Sequence, residues 1–173
     1  MNLTIDAATA DRFRHALRNH PAGVALVTAT HAGRHVAMTV SSLASVSAEP
    51  PLLVFSVSDE SSSAPVLLRA ETLIVHLLDA GSAWLARLGA RHDADRFGDP
   101  RTWAVTPEGE PYFVGAPVLV RARVVERVRA GTSTLCIIEA LAITEQADAA
   151  ARSRPLIYHD RTWYALPADT ALA

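Results

Sequence analysis

The sequence predicts a mainly β protein, a closed antiparallel barrel with a few short helices. Three observations carry that expectation. Seven or so short runs rich in Val, Ile, Leu and Thr recur along the chain, and Gly- and Pro-containing turns separate them. There is also no regular alternation of strand with long helix, which a parallel βαβ sheet would require. At 173 residues, half hydrophobic and a fifth charged, residues 1–173 have the size of one domain with a single core.

The elements follow in order. Asp6 or Thr9 is placed to cap a helix over residues 6–19, with Phe13 and Leu17 on one face at i, i+4 and Arg12, Arg14 and Arg18 toward solvent. Pro21 and Gly23 end it, and the barrel is expected over residues 23–166. GVALVTAT at 23–30 is apolar and β-branched, Ala32-Gly33-Arg34 is a hairpin turn, and 35–40 is the return strand. Glu49-Pro50-Pro51 excludes helix and belongs at a strand edge before LLVFSV at 52–57. Ser61-Ser62-Ser63 precede APVLLRA, where Pro65 suits the first turn of a short helix capped by one of the serines.

TLIVHLL at 72–78 reads as a continuous apolar strand, and 82–90 as a short helix with Trp84, Leu85 and Leu88 toward the core. The stretch from Arg91 to Pro117 holds prolines at 100, 107 and 111 and reads as a long loop, a lid or rim. Residues 118–129 alternate, with Val118, Val120, Ala122, Val124 and Val128 on one face and Arg121, Arg123, Arg127 and Arg129 on the other. That arginine face is either solvated or attracts an anionic dinucleotide or a second copy. Ala130-Gly131 turns into a strand over 132–144, Asp148 to Arg154 is a polar connector, and LIYH with TWYAL forms a last hairpin around Asp160-Arg161.

Several function classes are disfavoured. A net charge of −2 supplies no general attraction to nucleic acid or anionic lipid. The single Cys136 forms no internal disulfide, the N-terminus lacks a signal pattern, and no apolar run nears the roughly 20 residues of a membrane span, so a cytoplasmic protein is expected. No Cys-x-x-Cys, His-Glu-x-x-His, Gly-x-Ser-x-Gly, P-loop or Gly-x-Gly-x-x-Gly occurs, and His31 and His35 lack a nearby third ligand, so no metal site is expected. His76, inside an apolar strand, is expected to make one satisfied hydrogen bond in the core, and Cys136 to act as a small hydrophobe.

The chemistry concentrates at residues 36–64, VAMTVSSLASVSAEPPLLVFSVSDESSSA, where two strand-like runs each end in a hydroxyl cluster. Short hydroxyls beside backbone N–H groups converge readily on a phosphate; the plain alternative is turn and cap chemistry.

The same residues carry a family resemblance. Met38-Thr39-Val40-Ser41-Ser42, Ser45-Val46-Ser47, Pro50-Pro51 and Ser61-Ser62-Ser63 stand in order, with Phe13-Arg14-His15-Ala16-Leu17, Gly23-Val24, Asp95-Arg96-Phe97 and Pro155-Leu156-Ile157-Tyr158-His159 around them. Together they resemble the short-chain flavin reductase family over about residues 10–166. The resemblance implies a Greek-key split β-barrel that binds FMN or FAD, usually as a homodimer. It implies an NAD(P)H:flavin oxidoreductase that uses NADH or NADPH and supplies reduced flavin to a partner monooxygenase. Alternatives are a flavin-dependent enzyme that keeps its cofactor and acts on an organic substrate, or a non-catalytic flavin-binding protein. Carried over by position, Met38, Thr39, Val40, Ser41 and Ser42 line the isoalloxazine and ribityl chain, partly through backbone groups. Ser56, Val57, Ser61, Ser62 and Ser63 meet the ring edge and phosphate. Tyr158 and His159 border the flavin pocket, with the His159 N–H as the candidate catalytic group polarising a ring oxygen. Arg96 pairs with a phosphate and Phe97 shields a flavin or adenine face, or they are a surface Arg beside a core Phe. One departure stands out: where the family commonly carries Asp-His before Thr-Leu and a later Gly, this chain has Thr132-Ser133 before Thr134-Leu135 and Ile138. The missing histidine is the one associated with the nicotinamide.

Overall fold

The computed structural model describes residues 7–146 and 154–167; Asp6, the alternative cap, and most of the expected connector 148–154 lie outside the described residues. Helix α1 (Ala7–Arg18) leads into β1 (Ala22–Gly23), β2 (Ala25–His31) and β3 (Arg34–Val40). Ala32 and Gly33 both adopt positive φ, 50° and 74°, forming a two-residue turn whose twist suits a β-hairpin. There follow β4 (Ala44–Ala48), β5 (Pro51–Ser58), α2 (Ala64–Leu67), β6 (Thr72–Leu77) and α3 (Ala83–Ala90). A small hairpin of β7 (Trp103–Val105) and β8 (Pro111–Phe113) precedes the long β9 (Val118–Ala130) and β10 (Ser133–Glu145), and β11 (Leu156–His159) and β12 (Thr162–Ala165) end the fold. Among the described residues no helix is long and apolar enough to cross a membrane.

Seven strands form one antiparallel sheet in the order β3-β2-β6-β9-β10-β5-β4. Its two edges, β3 and β4, are consecutive in sequence. Only Ser41, Ser42 and Leu43 lie between them, a link of at most about 14 Å, whereas a flat seven-stranded sheet would hold its edges about 29 Å apart. The sheet is therefore rolled. The expected closed barrel is corrected in one respect: among the described residues no ladder joins β3 to β4. The chain passes straight from one edge to the other at a single corner, so the edges meet there rather than side by side. A separate sheet of β1, β11 and β12 completes the strand set.

Both faces of the rolled sheet are covered. Inside, Val27, Val75, Phe55, Val57 and Ile138 pack with Val66 and Leu67 of α2. On the outer face of β2 and β3, Leu26 and Ala37 pack under Leu85 and Ala86 of α3, Phe113 of β8 and Leu156 of β11. That double burial is why β2 reads as one apolar run instead of alternating.

Helix α3 lies where expected and buries Leu85, with Leu88 partly buried, but Trp84 departs from expectation. The buried residues of the helix are Ala83, Leu85, Ala86 and Gly89, a small-residue face that lets the helix lie close on β3, and Trp84 points outward at 39 % exposure. The stretch 91–117 is also more ordered than a free lid. Phe97 stacks on Phe113 at 5.2 Å and meets Trp103 edge-on at 5.0 Å. His76 Nδ1 lies 3.0 Å from the Leu26 carbonyl, and its Nε2 accepts the Phe113 N–H at 2.9 Å. His76 thus makes two hydrogen bonds, not one, and pins β8 to the sheet. Burial pushes its pKa down to about 4, so the imidazole is neutral, with Nδ1 as donor.

The arginine stripe is also corrected. Ile138 pairs with Val124 and Ile137 with Glu126, so Val125 is an extra residue, a bulge that reverses the alternation beyond it. Arg127 and Arg129 consequently lie on the opposite face from Arg121 and Arg123, and Val128 turns outward. Each cation has its own internal partner. Arg121 binds Glu110 at 2.9 Å, Arg123 binds Glu139, Arg127 the Ala70 carbonyl, and Arg129 both oxygens of Asp59. These four therefore form no continuous cationic surface. Burial raises the Glu110 carboxyl's pKa, but Arg121, Thr106 and Thr72 more than offset that and hold it at about 2.

Candidate functional site

The C-terminal end of β3 and the loop between β5 and α2 converge on a pocket of about 360 Å³. Met38 and Thr39 form one wall, Ser58 and Ser61 to Ser63 a second, and Gly89 with Arg96 a third; Glu60 and His92 also border it. Thr39 Oγ1 donates to the Ala86 carbonyl at 2.8 Å, which fixes β3 against α3. Gly89 is required at this contact: a Cβ there would lie 2.9 Å from the Thr39 backbone nitrogen and closer still to Leu26 and Thr39 side-chain atoms.

The three serines have different fates. Ser61 Oγ rests 3.3 Å from Met38 Sδ, and Ser63, almost fully buried, donates to the Ala37 carbonyl at 3.3 Å. Ser62 is exposed, and neither its amide nor its hydroxyl has a partner among the described residues. The expected helix cap is corrected accordingly. Ser63 occupies the N-cap position but makes no side-chain capping bond, and α2 is a single turn of four residues. The donors facing the pocket are hydroxyls and loop amides rather than a helix dipole. Arg96 completes the set. Its Nη2 donates to the Arg91 carbonyl at 2.5 Å, while its Nε is buried without a partner. Hydroxyls, an unpaired amide and an unpaired guanidinium nitrogen are a donor set fitted to a phosphate, so the residues present fit the tail of a flavin nucleotide.

A second cavity, of about 530 Å³, opens on the other side of the β3 corner. It brings Ser41 and Ser42 together with Tyr158 and His159, beneath Phe13 and Leu17 of α1. Ser42 Oγ accepts from both the amide and the hydroxyl of Ser56 at 3.0 Å. Tyr158 packs on Trp163 at 4.6 Å and His159 on Tyr164 at 6.1 Å. Arg161, beside them, holds a positive φ of 62° in a two-residue turn with Asp160.

Four expected residues line neither cavity: Val40, Ser56, Val57 and Phe97. Ser56 reaches the second only through its hydrogen bonds to Ser42. Val40 and Val57 are core residues at 4 % and 0 % exposure, because each sits on the inward phase of its strand, and only their backbone is available. The Phe97 ring packs against Phe113, Trp103 and His35, the arrangement of the core-Phe alternative. The structure adds residues that no local pattern marked, Ser58, Gly89 and His92 in the first pocket and Arg18 in the second. Gly89 stands inside a helical pattern, the one signal that pointed to a close approach. The departing turn sits beside the first pocket. Ser133 pairs with Ser58, and the Thr132 carbonyl accepts the Asp59 amide at 3.0 Å. Ile138 is fully buried.

A rolled antiparallel sheet with a hydroxyl- and arginine-lined pocket at its corner defines a β-barrel-like protein whose pocket fits a nucleotide phosphate. Comparison with known proteins gives the family: residues 17–167 match the flavin reductase like domain, and the chain belongs to that family. It is 39 % identical over 152 residues to an NADH:FMN oxidoreductase of Rhodococcus qingshengii, covering 88 % of this chain and 79 % of that one. Among solved structures, a flavin reductase domain protein from Arthrobacter sp. FB24 superposes with a TM-score of 0.84 at 27 % identity, covering 94 % and 99 % of the two chains. BorF, the flavin reductase component of a bacterial two-component tryptophan halogenase, superposes with a TM-score of 0.77 at 25 % identity, over 91 % and 98 %.

Proposed function

We propose that this single-domain chain is an NAD(P)H-dependent flavin reductase that passes reduced FMN or FAD to a partner monooxygenase. The observation that carries the reading is the meeting of Ser62, the Met38–Thr39 edge and Arg96, whose Nε is buried without a partner, around one pocket. The names of the relatives, an NADH:FMN oxidoreductase and a two-component flavin reductase, support it.

In this reading Ser61, Ser62 and Arg96 hold the flavin phosphate, and the tricycle lies along Val40, Ser41 and Ser42 toward Tyr158 and His159. Bound flavin supplies the acceptor for a hydride taken directly from reduced nicotinamide. The chain's part is placement. Core packing fixes the backbone of Val40 and Val57 through their buried side chains, and the Ser42–Ser56 hydrogen bonds tie the β3–β4 link to β5 at the corner. His159 is the donor aimed at a ring oxygen, where negative charge grows on reduction. Hydride transfer between two bound cofactors needs alignment more than proton transfer by side chains.

The apolar face of α1, with Phe13 63 % and Leu17 52 % exposed beside the second cavity, supports a homodimer in which a second copy covers that face. A cytoplasmic location accords with a buried free Cys136 and a need for reduced nicotinamide.

Anaerobic mixing of the protein with NADH and excess FMN tests the reading. Repeated turnover of added flavin, followed as bleaching of its yellow absorbance, is expected. A single reduction of tightly held flavin would point to an enzyme that keeps its cofactor, and no reduction would leave a binding protein only.

A further inference from the structure

We propose that the outer face of α3 is a subsite for the adenosine diphosphate half of a dinucleotide, adjoining the phosphate pocket across Arg96. The proposal rests on the flavin reading for its neighbour, but the groove is defined by its own residues. Trp84, Arg87, Leu88 and Arg91 stand at i, i+3, i+4 and i+7, which places them on one stripe, opposite the small residues that bury α3 against β3. They border a groove of about 350 Å³, within the size range of small-molecule sites.

Each group has an unmet capacity suited to adenosine diphosphate. Trp84 touches Phe113 only edge-on, at 6.4 Å and 86°, and its indole is 39 % exposed, a platform on which a purine can stack. The side chains of Arg87 and Arg91 are exposed and have no ion-pair or hydrogen-bond partner among the described residues, in contrast to the four partnered arginines of β9. The acids that share the groove are engaged. Asp99 is clasped by Arg101 at 2.9 Å through both oxygens, and Asp95 accepts the Phe97 amide at 3.2 Å. The local balance therefore favours an anion.

Arg96 joins the two sites. It borders both the serine pocket and this groove; its Nη2 is tied to the Arg91 carbonyl, and its Nε is buried without a partner. A pyrophosphate spanning from one to the other passes the Arg96 guanidinium that both cavities share, with Arg87 and Arg91 flanking the distal phosphate. FAD and NADH share this half, so the groove recognises the chemistry common to both.

Titration of the protein with ADP alone, followed by tryptophan fluorescence, is the direct test. Saturable quenching is expected for the native chain and not for Trp84→Phe, and no quenching in the native chain would overturn the proposal. Separate titrations with FMN and FAD assign the source in Arg87→Glu and Arg91→Glu, whose substituted side chains are exposed and leave the fold intact. An FAD Kd weakened tenfold or more with the FMN Kd within twofold assigns the groove to the dinucleotide flavin. An unchanged FAD Kd with a tenfold higher KM for NADH, FMN being the acceptor, assigns it to the nicotinamide. Neither change overturns the subsite. Failure of the native chain to bind FMN would instead count against the flavin site, whatever ADP does.

Discussion

Replacing Gly89 by alanine is expected to destabilise the protein and loosen the serine- and arginine-lined pocket at once. The new Cβ would sit 2.9 Å from the Thr39 nitrogen and closer than any ordinary carbon contact to Leu26 Cδ1 and Thr39 Oγ1. Leu26 is fully buried and has no space to retreat into, so α3 must move outward by roughly half an ångström, against the close packing of protein interiors. Overpacking of this kind costs about 1–3 kcal/mol. Loss of the Thr39–Ala86 hydrogen bond adds about 1 kcal/mol. The gain from exchanging Gly for Ala in a helix offsets about 1 kcal/mol at most, less at this penultimate position. The net is about 2 kcal/mol, a fall in Tm of about 4–8 °C for a chain of this length. Thermal unfolding by circular dichroism measures it, with Gly81→Ala as the control. A Cβ at Gly81 would meet only the Asp79 carboxylate, at 3.5 Å, and should leave Tm nearly unchanged. A Gly89→Ala protein as stable as the native one, with native FMN affinity, would refute the claim that close α3–β3 contact shapes the pocket.

Three further outcomes are expected. Ser62→Asp places a negative charge on the exposed serine loop and should weaken FMN binding at least tenfold with Tm unchanged; equal affinity by fluorescence titration would mean the phosphate lies elsewhere. Ser133→His, in the turn that pairs with Ser58, should lower the KM for NADH; an unchanged KM and kcat would dissociate that turn from nicotinamide. His76, ordinarily 6.5 but held down to about 4 by burial, is neutral in the folded state while the unfolded chain takes up a proton. Its contribution is thus fully present above pH 6.5 and is lost as pH falls toward 4, by about 3 kcal/mol in all. Glu110, held at about 2 against an ordinary 4.5, adds its own loss only below about pH 4.5. Urea midpoints across pH 7.5 to 4 check the assignment: a stability that stays flat between pH 6.5 and 4.5 would contradict it.

Much of the fold was legible because its signals are local. β2, β3, β5 and β6 are β-branched apolar runs, and Ala32-Gly33 turns where a positive φ is needed. What escaped depends on partners far away in sequence. The reversal of Arg127 and Arg129 follows from the Val125 bulge, set by register against β10, and no period within residues 118–129 reports it. Trp84 reads as a core residue by composition, yet the small residues Ala83, Ala86 and Gly89 pack so closely on β3 that the helix turns its large ring outward. The open seam has the same origin, since pairing across the roll joins residues that only the finished curvature brings near. In the site, the hydroxyl clusters were evident, but their division was not. Ser63 is drawn into the core by the Ala37 carbonyl, leaving Ser62 alone facing outward. Arg96 and the serines, more than thirty residues apart, meet only because α3 closes on β3.

The most direct measurement is an equilibrium titration of the purified chain with FMN, read by quenching of flavin fluorescence, for the native protein and for Arg96→Ala. The account predicts saturable binding at micromolar flavin for the native chain and a tenfold or greater weakening when the Arg96 guanidinium is removed. Absence of native binding, or equal affinity in both, would contradict it.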